Sequence, residues 1–86
     1  PPLSAFSEAA LANMYKNPTY YLARGIGGFN STGASAFEDA LVKTLAAKFK
    51  AGNKTYTNDE ALSAAQQYLD LEMTTRKTTT KPGGSE

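Results

Sequence analysis

The glycine-rich segment at residues 25–33 has the composition of a phosphate-binding loop. Gly25-Ile26-Gly27 matches the first half of a dinucleotide fingerprint, in which glycines let the backbone approach a pyrophosphate closely, but Asn30 stands in place of the third glycine. No strand pattern precedes the segment, and the Gly-Lys-Ser/Thr ending of a P-loop is missing. The segment is therefore interpreted as a connecting loop or a contact surface, and no cofactor is expected.

Two carboxylate pairs, Glu38-Asp39 and Asp59-Glu60, could in principle supply acid–base or metal-binding oxygens. Both pairs stand where helices are predicted to begin, and capping and the helix dipole explain negative charge at that position. The alternating oxygen ligands of a calcium loop are also missing. No catalytic or metal-binding residue is assigned.

The residue inventory argues against an enzyme. The 86-residue chain has no Cys and no His, which excludes disulfides, thiolate catalysis and the usual general base near neutral pH. Nucleophilic catalysis would have to rest on Ser or Thr activated by Lys, a minority arrangement. A non-enzymatic protein is predicted.

Three tyrosines lie close together beside the glycine-rich segment. Tyr15, Tyr20 and Tyr21 combine apolar faces with hydrogen-bonding tips, a pairing enriched at protein interfaces. Ile26 and Phe29 are the apolar anchors of the loop itself. These five residues are predicted to form a partner-binding surface; the alternative is that the rings complete a small core.

Basic residues are numerous but are not concentrated in one part of the chain. Residues 1–73 carry 6 Lys/Arg against 7 Asp/Glu, whereas residues 74–86 carry 3 against 1. The lysines at positions 43, 48, 50 and 54 are interpreted as a solvated helix end rather than a phosphate-contacting patch, so nucleic acid is not expected as a partner. In the tail, Arg76, Lys77 and Lys81 are predicted to contact a partner through flexible electrostatics.

Helical periodicity dominates the chain, and no convincing strand pattern appears. A first helix is predicted from about Ala5 to Lys16 with Ser4 as its N-cap, and a short second helix of about two turns runs from Asn17-Pro18 to Gly25. These two segments are predicted to pack on the longer helices that follow.

The third and fourth segments are predicted to form an antiparallel helical hairpin. Ser35 opens one capping box and Thr57 a second, and Gly52 ends the third segment. The third segment presents an apolar stripe at i+4 spacing: Phe37, Leu41, Leu45 and Phe49. The fourth presents two adjacent stripes, one through Leu62, Ala65, Leu69 and Met73, the other through Ala61, Ala64, Tyr68 and Leu71.

The predicted fold is therefore all-α, a bundle of three to four helices built around this hairpin, with a Gly-rich loop and an extended C-terminal tail. Residues 1–73 are predicted to form a single small helical domain, and residues 74–86 a flexible polar Thr/Lys tail. No stretch reaches the roughly 20 apolar residues of a transmembrane helix, and the first five residues lack the pattern of a secretory signal.

A lean core suggests a function. Leu, Ile, Val and Phe supply 14 of the 86 residues, as many as Ala alone, so burial against other subunits would add needed stability. The leading hypothesis is a structural or interaction subunit of a large oligomeric assembly, with a virion component (phage capsid, decoration or connector protein) favoured on composition. Two alternatives remain open: a small helical nucleic-acid-binding or regulatory protein, and an extrinsic subunit of a membrane-bound energy-converting complex.

Overall fold

A computed structural model describes the backbone of residues 1–79 and the side chains of residues 1–74. Four α-helices and no strand occur in this part of the chain: α1 (Glu8–Lys16), α2 (Pro18–Leu22), α3 (Ala34–Gly52) and α4 (Asn58–Thr79). Three short 3-10 turns, Leu3–Ala5, Ile26–Gly28 and Ser31–Gly33, connect or precede them. The predicted all-α bundle is confirmed.

The N-cap of α1 is Ser7, and the prediction that Ser4 caps this helix is wrong. Ser4 lies inside the first 3-10 turn, which ends where Phe6 and Ser7 adopt extended backbone. An N-cap needs such an extended conformation so that its hydroxyl can accept from the first helical amides. The Ser7 hydroxyl accepts from the backbone N–H of Ala10 at 3.1 Å.

Asn17-Pro18 separates α1 from α2, as predicted. Asn17 leaves the helical region at φ −134° and ψ 57°, and Pro18 occupies the first position of α2. Asn17 does not cap α2 with its side chain; its Nδ2 instead donates to the carbonyl of Asn13, at 3.2 Å. The helix has five residues, ending at Leu22, so it is shorter than predicted.

The capping box predicted at Ser35 is absent. The preceding 3-10 turn leads directly into α3, so that Ala34 is already helical at φ −55° and ψ −46° and Gly33 takes the N-cap position. Ser35 therefore lies within the first turn, where its backbone lacks the extended form that a cap requires. Glu38 consequently falls beyond the first turn of the helix.

The connection from α3 to α4 carries the second capping box, which is confirmed. Thr57 Oγ1 accepts from the N–H of Glu60 at 3.1 Å, and Glu60 Oε1 accepts from the N–H of Thr57 at 2.8 Å. Within the turn, the Asn53 side chain accepts from both the N–H and the hydroxyl of Thr55. These local bonds fix the reversal between the two long helices.

The two serine and threonine positions provide a matched pair of variants. Thr57→Ala is expected to lower the free energy of unfolding by about 1 kcal/mol, because one orphan amide of α4 loses its acceptor. Ser35→Ala is expected to change it by less than about 0.5 kcal/mol, since this hydroxyl caps nothing. Urea denaturation followed by circular dichroism measures both. Equal losses for the two variants would contradict the caps described above.

The core is apolar throughout the described residues. Phe37, Leu41 and Leu45 are fully buried, as their i+4 spacing predicted, whereas no polar or charged residue is buried. The other buried side chains come from every part of the bundle: Leu3, Leu11, Ala12, Met14, Leu22, Ala46, Ala61, Ala65 and Leu69. Four of these twelve are alanines, which bring the helix backbones close together.

Helix α4 buries a single stripe, centred on Ala61, Ala65 and Leu69. Each of the two predicted stripes is covered only in part, because Leu62 in the first is 37% exposed and Leu71 in the second is 64% exposed. These two leucines are nine residues apart and so point to opposite sides of the helix. The helix thus leaves large apolar groups uncovered on both flanks of its buried stripe.

Helix α4 continues through Thr79, so the first six residues of the predicted flexible tail, 74–79, are helical and that boundary is wrong. Residues 80–86 lie outside the described residues. Within the described part, neither long helix contains a window apolar enough to cross a bilayer.

Candidate functional site

Of the three clustered tyrosines, Tyr15 is the one whose hydroxyl is hydrogen-bonded to a side chain of another helix. It is half-buried against the core, and its hydroxyl accepts from Nε2 of Gln66 on α4 at 3.4 Å. Tyr15 thus lies between α1 and α4, as expected if its ring completes the core rather than forming part of a contact surface.

Tyr20 is the exposed member of the cluster, with 54% of its surface accessible. The guanidinium of Arg24 lies 3.7 Å from the centre of its ring, and Tyr21 packs edge-on against it at 5.0 Å between centroids. Arg24 also donates to the carbonyl of Tyr20 at 3.1 Å, which holds the cation over the ring. One face of Tyr20 is therefore occupied within the chain.

The loop anchors Ile26 and Phe29 are half-buried and pack against the core. Phe29 meets the fully buried Phe37 edge-to-face at 5.5 Å. Both residues thus attach the glycine-rich loop to the core, and Phe29 does so through α3. Of the five predicted contact residues in this region, Tyr20 is the one that the structure leaves exposed.

Nothing in the described structure places the three basic residues of the predicted tail beside the tyrosine cluster. Arg76 and Lys77 lie on the last turns of α4 but belong to the positions whose side chains are not described, and Lys81 lies outside the described residues. Their predicted role stays a prediction.

Compared with the cleft of about 300 Å³ at Asn17, Tyr20 and Tyr21, a groove between α3 and α4, hereafter the hairpin groove, is more than twice as large, with a volume of about 670 Å³. Its floor is formed by small apolar side chains and one leucine: Ala46, Ala47, Ala51, Ala61 and Leu62. No residue of α1 or α2 lines it, so this flank of the hairpin is uncovered.

The rim of the hairpin groove is basic. Lys43, Lys50 and Lys54 line it together with Asn58, and no carboxylate is among the lining residues. Lys50 Nζ donates to Asn58 Oδ1 at 2.6 Å, which ties the end of α3 to the start of α4. Lys54 has no hydrogen-bonding or ionic partner among the described residues. The groove therefore combines an apolar floor with excess positive charge.

Lys43 is the one groove lysine with a carboxylate beside it. Its Nζ lies 2.9 Å from Asp39 Oδ2, one turn earlier on α3, and both side chains are about two-thirds exposed. Exposed pairs of this kind contribute little and exchange readily with water or with a competing anion. Lys48, predicted in the same basic cluster, points elsewhere and donates to the carbonyl of Ser4 at 3.1 Å.

A second polar cluster joins α1 to α4. Lys16 Nζ lies 3.3 Å from Glu72 Oε1, and the lysine is largely buried. Beside this pair, partial burial raises the pKa of the Tyr68 hydroxyl above its usual value, and the charges of Glu72 and Glu8 raise it further. These groups satisfy one another across the helix contact, so they are explained by packing.

No group of three or more acidic residues converges on a possible metal position in the part of the chain that was described. The groove offers ammonium groups and methyls, which suit binding rather than bond-breaking chemistry.

The groove was not predicted from the sequence, although its three lysines were identified there as part of a solvated helix end. A signal was present: alanines and lysines share one face of α3 at positions 43, 47, 50 and 51, and Lys54 follows in the turn after this helix. Alanine fits a helix in any environment, however, so this pattern alone does not distinguish a groove floor from an ordinary solvated face.

Comparison of the chain with protein-family models, with curated proteins and with solved structures gives no match in any of the three.

Proposed function

We propose that this protein is a non-enzymatic structural or interaction subunit of a larger macromolecular assembly. The observation that carries the proposal is the hairpin groove, where Leu62 and the floor alanines are left without a covering element. Contiguous apolar surface rimmed by polar groups is typical of a protein interaction site. The absence of Cys and His from the sequence supports a role without catalysis.

The size of the apolar core supports the same role. Its largest members are one phenylalanine, one methionine and six leucines, and the remaining four are alanines. Small domains bury a smaller fraction of their surface than large ones do, and they gain stability when a partner binds the folded state. Docking through the groove would cover apolar surface that the described residues leave exposed.

The particular assembly we propose is a virion. In it, this chain would be a capsid, decoration or connector protein. The support for this assembly is compositional: abundant Ala, Thr, Gly and Asn in a chain without Cys or His. Repeated small subunits also gain avidity from their number, which suits a chain with limited stability of its own.

The proposal is tested by the mass of the native particle that contains the chain. Light scattering after size-exclusion chromatography of native material is expected to place it in a species far heavier than 9.1 kDa. Leu62→Glu is expected to shift the protein to the monomer fraction, because a carboxylate replaces apolar floor.

Ser63→Glu is the matched control, since it adds the same charge at the next position of α4, outside the groove lining. It is expected to remain in the heavy fraction. A native protein that elutes as a 9.1 kDa monomer would overturn the proposed function.

A further inference from the structure

We propose that the hairpin groove binds an acidic amphipathic helix of a partner protein. The inference rests on the proposed function and names the kind of partner that the groove fits. It is carried by three features of the described residues: the floor, the charge of the rim and the spacing of the lysines.

The floor permits close approach of a helix. Ala46, Ala47 and Ala51 on α3 and Ala61 on α4 project one methyl group each. Helices pack at axis separations of 8–10 Å, depending on the side chains at the contact, and small residues allow the shorter distances. Leu62, at 37% exposure, then provides a larger apolar group at the edge of the contact.

The rim determines the sign of the partner's charge. Three ammonium groups and no carboxylate line the groove, so an occupant with flanking carboxylates gains attraction, whereas a basic one is repelled. A second copy docked groove to groove would set lysines against lysines. The favoured occupant is therefore a different chain.

The spacing of the lysines favours a helix over a single anionic headgroup. Lys43 and Lys50 are seven residues apart on α3, which separates them by about 10 Å along the axis. One phosphate or carboxylate cannot contact both, but two glutamates seven residues apart on a neighbouring helix have the same spacing. A nucleic acid would bring hydrated phosphates onto a floor of methyl groups, which offers them no hydrogen bonds.

Two synthetic peptides, each roughly four helical turns long, test the inference with the full-length protein. Both carry Leu and Ala on one face, and the flanking positions are Glu in one peptide and Lys in the other. Fluorescence anisotropy is expected to show saturable binding of the Glu peptide that weakens with added salt, and at least tenfold weaker binding of the Lys peptide.

Variants separate the contributions of the rim and the floor. The triple change Lys43→Gln, Lys50→Gln and Lys54→Gln is expected to weaken binding of the Glu peptide roughly tenfold, since each exposed charge pair contributes modestly. Ala47→Gln fills the floor without changing the charge and is expected to weaken it by a similar factor. Arg24→Gln removes a cation outside the groove and is expected to leave binding unchanged.

Several outcomes would overturn the inference: no saturable binding of the Glu peptide, equal binding of the two peptides, or insensitivity to the groove variants. Tighter binding of laurate or of a short DNA duplex would assign the groove to a lipid or a nucleic acid instead. A heavy native particle with no peptide binding would retain the proposed function and reject this partner. Binding of the Glu peptide by a protein that is monomeric in native material would retain this kind of partner and reject the proposed function.

Discussion

Leu45→Ala is expected to lower the free energy of unfolding by about 2–5 kcal/mol. Leu45 is fully buried on α3, within the stripe that also contains Phe37 and Leu41. The substitution removes apolar atoms from the core and leaves a cavity that rigid helices fill incompletely. A domain of this size has a total stability of roughly 4–13 kcal/mol, so the change removes a large share of it.

Leu62→Ala is the control for this prediction, because it makes the same chemical change where the side chain is partly exposed. Its expected cost is less than about 1 kcal/mol. Urea unfolding followed by circular dichroism compares the two. If Leu45→Ala is too unstable to give a folded baseline, Leu45→Met keeps the volume and should cost less than about 1.5 kcal/mol. Equal losses at positions 45 and 62 would contradict the assigned core.

Gly27→Ala is expected to destabilise the protein by about 2 kcal/mol or more. The residue has φ +70°, a left-handed conformation that costs an L side chain about 1–2 kcal/mol. A Cβ there would also lie 3.1 Å from Leu3 Cδ2 and 3.3 Å from a ring carbon of Phe29. Since Leu3 and Phe29 pack on the core, neither can move away without loss of packing.

Gly28→Ala separates the two causes of this loss. Gly28 has φ +84°, but its Cβ would meet no atom within 4 Å, so the backbone cost of about 1 kcal/mol is expected alone. Thermal unfolding followed by circular dichroism measures both variants. In a double-mutant cycle, Leu3→Ala and Gly27→Ala together are expected to cost less than the sum of the single losses. Strict additivity would show that the Leu3 contact is not made.

The parts of the fold that depend on local sequence were predictable. The i+4 spacing of Phe37, Leu41 and Leu45 identified the buried face of α3, and the Thr57 capping box identified the start of α4. Both signals act within a few residues, where side chain and backbone are already in contact. The break at Asn17-Pro18 belongs to the same class, because proline restricts its own backbone and that of its neighbour.

Features that depend on neighbouring elements were not predictable. The sequence around Ser35 satisfies the rule for a capping box, yet the 3-10 turn before it starts the helix two positions earlier, with Gly33 rather than Ser35 as the N-cap. The exposure of Leu62 depends on where α1 and α2 pack, since both cover the other side of the hairpin. The same packing arrangement places Ala47 and Ala51 on the floor of a groove rather than on an ordinary solvated helix face.

Two residues belong both to the interior and to the hairpin groove. Ala46 and Ala61 are 6% and 2% exposed, pack in the core and line the floor of the groove. At those two positions, a single methyl group separates the core from the groove. If a partner binds the proposed groove, a larger side chain at either alanine would disturb the packing of the core and the contact with the partner at once.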